Sequence, residues 1–73
     1  MNRAILNAAA AYVTTKLAED LLGTAAAEAE LRACARLYWR AFARQLLDED
    51  AIDDAEPVLT LEGGHARIGW RIL

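Results

Sequence analysis

Arg32, Arg36, Arg40 and Arg44 recur at intervals of four, so half of the chain's eight basic side chains fall on one ridge of a predicted helix. Such a row is a candidate anion-binding surface. Guanidinium groups pair with carboxylates or phosphates through a fixed fork of donors, and each four-residue step carries them about 6 Å along the axis. The row also has a cost: like charges at i and i+4 repel by about 0.2–0.5 kcal/mol per pair. Compensation must come from acidic neighbours within the chain or from an anionic partner outside it.

Helical geometry divides the row. Each step of four drifts by about 40°, so the row turns through about 120° from end to end and cannot all face one flat partner. Arg36 and Arg40 are expected nearly opposite the apolar stripe, and most exposed. Arg32 and Arg44 are expected to flank the core, with Glu28 four residues before the first and Asp48 four residues after the second. A solvated or internally paired ridge is the plainest reading; an acidic protein partner comes next and a nucleic-acid backbone third. Trp39, one residue from Arg40, is expected in the core beneath the C-terminal segment. Were it exposed beside Arg36 and Arg40, it would have the composition of an interface hot spot.

Six of the nine residues from Asp48 to Glu56 are acidic. Asp50, Asp53 and Asp54 join the arginines and Trp39 as candidate partner contacts, since the run can present negative charge to a basic surface. It lacks the alternating oxygen ligands and central glycine of a calcium loop. Cys34 and His65, the single cysteine and histidine, cannot make an intrachain disulfide or a four-ligand zinc site. Cys34 reads as a small apolar core residue, and His65 as the cross-strand partner of Glu62. No catalytic or cofactor motif is present, and no enzyme activity, metal or cofactor is expected.

The elements that must hold these residues follow from periodicity. Leu6, Ala9, Ala10, Val13 and Leu17 share one face of a helix predicted over 3–22, with Asn2 as its cap and Gly23 as its stop. Thr24 is placed to cap a second helix over 25–47, antiparallel to the first across a very short connection. Its stripe is Leu31, Cys34, Ala35, Tyr38, Phe42 and Leu46, flanked by Leu37 and Ala41 on one side and Trp39 on the other. An acidic connector spans 48–57, in which Asp50 can cap a short turn through Ala55, Ile52 anchors that turn in the core, and Pro57 closes the segment. Residues 58–72 then alternate with period two around Gly63-Gly64, which predicts a hairpin pairing Glu62 with His65, Leu61 with Ala66, Thr60 with Arg67 and Leu59 with Ile68. Leu59, Leu61, Ala66, Ile68, Trp70 and Ile72 then share the inner face.

The whole reads as one α+β domain over 1–73, an antiparallel two-helix hairpin packed against a C-terminal two-stranded antiparallel β-hairpin in ααββ order. A composition of 56% hydrophobic and 26% charged residues belongs to a folding chain. At 73 residues, one core supplies only about 3–5 kcal/mol, so oligomerisation or partner binding is an expected support. Asn7 interrupts the N-terminal apolar run, against a secretory signal, and no run approaches the ~20 residues of a membrane span. A cytoplasmic location is expected. Two helices and a hairpin also suggest a winged DNA-binding module, but the acidic 48–56 segment would occupy the groove, and the formal charge of −3 opposes it.

The function expected is that of a small acidic, non-enzymatic protein-binding module, an inhibitor or adaptor that occludes a partner surface. By size and charge it is analogous to the inhibitors of nucleic-acid-processing defence complexes that phages and mobile elements carry. The alternatives are a phosphate-backbone binder acting through the arginine ridge, and a self-assembling protein whose hairpin edge pairs with a second copy to make a four-stranded sheet.

Overall fold

The computed structural model describes residues 3–20, 27–46, 52–63 and 65–73. Two helices, α1 (Arg3–Asp20) and α2 (Glu28–Gln45), precede two strands, β1 (Ala55–Glu62) and β2 (His65–Ile72). The helices run antiparallel, as the contacts of Tyr12 with Phe42 and Gln45 and of Asp20 with Tyr38 require. The strands form an antiparallel ribbon above them, β2 over α1 and β1 over α2. This is the predicted α+β arrangement.

Helix α1 buries Leu6, Ala9, Ala10, Val13 and Leu17, the stripe its 3.6-residue period assigns to the core. The predicted caps Asn2, Gly23 and Thr24 lie outside the described residues. Helix α2, however, starts later than position 25. Ala27 is its N-cap, extended at φ −68° and ψ 152° and without a side-chain cap. Glu28 and Glu30 instead place negative charge at the positive end of the helix dipole, and Arg44 places positive charge in the last turn.

The buried seam of α2 is rotated from its predicted centre. Ala35, Trp39 and Ala43 are buried at successive i+4 positions, whereas Tyr38, Phe42 and Cys34 are half-buried and Leu46 is exposed. Leu37, at 65% exposure, has left the interface altogether. Small residues on either side of Trp39 let α2 approach its neighbours closely, and the large indole fills the space between them. The bulkier Tyr38 and Phe42 work from the rim. The ring of Phe42 meets that of Tyr12 with centroids 5.4 Å apart, and the Tyr38 hydroxyl donates to the Asp20 carboxylate.

That last contact, followed by partial burial and the charge of Asp20, pushes the Tyr38 hydroxyl up to about 12. The folded value lies above the ordinary 10.0, so the contribution to stability is whole below about pH 10 and is lost as pH rises towards 12. In a Tyr12→Phe background, Asp20→Asn is expected to return the phenolate absorbance titration of Tyr38 towards its ordinary midpoint. An unchanged titration would show that Asp20 is not the cause.

In the ribbon, Glu62 pairs with His65, Leu61 with Ala66, Thr60 with Arg67 and Leu59 with Ile68, the expected register. Gly63 takes φ 53° at the turn, a region where glycine carries no Cβ penalty. The strand does not begin at 58. Ala55, Glu56 and Pro57 already pair with Ile72, Arg71 and Trp70. The N–H of Leu73 donates to the carbonyl of Asp54, which makes 54/73, and every second pair from it, the hydrogen-bonded ones. Pro57 therefore occupies a non-hydrogen-bonded pair, and its missing N–H costs the ladder nothing. Of the proposed turn from Asp50 through Ala55, the described part is residues 52–54, closed by the N–H of Ala55 on the carbonyl of Ile52, whose side chain is buried.

Trp70 fastens the ribbon to α1 by donating its indole N–H to Asn7 Oδ1 at 2.9 Å. Asn7→Ala is expected to lower stability by about 1 kcal/mol. A reduced urea midpoint with an unchanged slope is the result that checks it.

Candidate functional site

Each arginine of the ridge directly follows a residue on the inner side of α2: Leu31-Arg32, Ala35-Arg36, Trp39-Arg40, Ala43-Arg44. One residue is a turn of about 100°, so the ridge runs along the flank of the buried seam rather than opposite it. This corrects the expected placement of Arg36 and Arg40. Because the ridge and the seam wind together, a partner element resting on the seam keeps the arginines at its edge along several turns.

That element is the turn leading into β1. Between it and α2 lies an open cleft of about 330 Å³. The helix supplies Arg36, Trp39, Arg40, Ala43 and Arg44, and the opposite lip is made by Ile52, Asp53, Ala55, Glu56, Pro57 and Leu73. Three of the four ridge arginines thus meet on one concavity, which a flat face could not have gathered. Arg32 stands apart, donating to Glu28 Oε1 at 2.7 Å, as its i−4 spacing allows.

Arg32, Arg67 and Arg71 each meet a carboxylate: Glu28, Glu62 and Glu56 respectively. Arg44 also has an interaction of its own. Arg36 and Arg40 are exposed and have no ion-pair or hydrogen-bond partner among the described residues. On the acidic lip, Glu56 is drawn towards Arg71 across the ribbon, and Asp53 is exposed. The cleft is therefore donor-rich on its helical wall and only partly balanced on the other.

Trp39 is 5% exposed, so the hot-spot alternative gives way to core placement. It still contributes to the cleft lining, and its indole N–H is buried without a hydrogen-bond acceptor. Of the acidic candidates, Asp53 lines the cleft, Asp54 is exposed beside it without lining it, and Asp50 lies outside the described residues. Sequence reasoning missed Ala43, Ile52, Ala55, Pro57 and Leu73 as lining residues.

Among the described residues no group of three or more His, Cys, Asp or Glu side chains is arranged to hold a metal ion, and no helix is long and apolar enough to cross a membrane. No protein-family model, curated protein or solved structure matches the chain.

Proposed function

We propose that this domain is a non-enzymatic protein-binding module, an adaptor or inhibitor that engages an acidic partner surface through the Arg36 and Arg40 wall of the α2–β1 cleft. The observation that carries this reading is the pair of guanidinium groups without a carboxylate partner among the described residues, while Arg32, Arg67 and Arg71 are matched within the domain. Two like charges one helical turn apart destabilise α2 in isolation, and a partner's carboxylates reverse the sign of that term.

A protein partner is favoured over a nucleic-acid backbone by the opposite lip. A continuous phosphate run along the cleft would pass Asp53 and Glu56, and the chain as a whole carries −3. The test is co-purification from a lysate of the encoding organism. A stoichiometric protein partner that is recovered with the parent chain and lost with the Arg36 and Arg40 variants supports the reading. Retention on heparin that weakens steeply with salt, with no protein recovered, would replace it with the phosphate-binding alternative.

A further inference from the structure

The cleft is restrictive in what it can recognise. Where β1 borders it, the outward backbone offers no free donor: the N–H of Ala55 is bonded to Ile52, and Pro57 has none. A peptide cannot be held there by strand addition, which needs alternating donors and acceptors along the edge. Recognition must come through side chains, and those of the helical wall are donors. Arg36 and Arg40 point to an acidic group, and the indole of Trp39 lines the cleft beside them while its N–H stays buried away from solvent. Between these donors and Pro57 the floor is apolar, formed by Trp39, Ala43 and Ile52. A volume of about 330 Å³ has room for one or two side chains and none for a helix.

Resting on the reading of the arginine wall as a protein-binding surface, we infer that the cleft is an anchor pocket for a short acidic–apolar segment of the partner. One glutamate or aspartate carboxylate bridges Arg36 and Arg40, and an adjacent branched apolar side chain rests on Trp39, Ala43, Ile52 and Pro57. The acidic lip sets the selectivity. Asp53 and Glu56 repel an unbroken run of charge, so an isolated carboxylate beside an apolar residue is preferred over a polyanion.

The probe is a blocked peptide with leucine flanked by glutamates, titrated into the full chain while the indole N–H proton resonances are followed. The Trp39 resonance is assigned by its loss in Trp39→Phe. The expected result is a shift of that resonance as the segment packs against the Trp39 ring, with the Trp70 resonance, whose indole lies outside the cleft and is bonded to Asn7, unmoved. Replacing the glutamates by glutamine should remove the shift, and Arg36→Gln with Arg40→Gln should weaken binding at least about tenfold. Suppose instead that a leucine-free glutamate peptide binds equally well and the Trp39 resonance stays in place. The anchor is then overturned, while dependence on the two arginines would leave the wider protein-binding reading intact. Failure of both peptides, with co-purification still lost in the arginine variants, likewise overturns the anchor alone. If partner recovery is indifferent to both arginines, the two readings fall together.

Discussion

Replacing Trp39 by alanine is expected to unfold the domain under ordinary buffer conditions. Truncating a buried aromatic costs about 3–5 kcal/mol, and a core of this size supplies net stability of only about the same amount. The neighbours cannot close the gap. Ala35 and Ala43 flank Trp39 on the seam and have no side-chain length with which to fill the void. Trp39→Phe behaves differently. It keeps much of the apolar area and removes a buried indole N–H with no acceptor, a group whose desolvation costs about 1–3 kcal/mol. Circular dichroism during urea unfolding separates the two variants. An alanine variant within about 0.5 kcal/mol of the parent, the range of surface substitutions, would show that Trp39 is not a core residue.

Reversing both central arginines, Arg36→Glu with Arg40→Glu, is expected to abolish partner recovery while leaving the fold as stable as before or more so. In the parent, three like-charged i,i+4 pairs run along the ridge. In the variant, the outer two become attractive and only the central pair still repels. With each pair worth about 0.2–0.5 kcal/mol, the gain is on the order of 1 kcal/mol, reduced by the nearness of Asp53 and Glu56. Stability gained with function lost is the pattern expected of a surface whose charges serve a partner. A variant that loses both together, in the unfolding midpoint and in the pull-down, would instead place the two arginines among the supports of the fold.

The ribbon and its register were legible because Gly63-Gly64 and the alternation on either side admit one pairing that puts Leu59, Ile68 and Trp70 on the inner face. The start of β1 was harder to read. Pro57 is a stop signal for a helix, but within an antiparallel pair its effect depends on hydrogen-bond phase, which only the partner strand supplies. The α1 stripe was readable because its apolar positions differ sharply from their neighbours. In α2 the apolar arc is broad, and counting bulky and small residues alike centred it on Tyr38 and Phe42. Close approach selected Ala35, Trp39 and Ala43 instead. The pairing of Arg32 with Glu28 could be read from the spacing of the arginines. Their convergence on a cleft could not, because its second wall is set by how residues 52–57 dock.

Pro57 has one more effect, on how many copies a sheet could join. Facing away from β2, β1 has the backbone groups of residues 55, 57, 59 and 61, and the first two contribute no free N–H. The opposite border, at residues 66, 68, 70 and 72 of β2, carries four donors in a row. The ribbon is thus one-sided. Two molecules meeting through β2 would satisfy each other and leave outward only the poorer border, so sheet extension would terminate at a closed pair instead of propagating into a fibre.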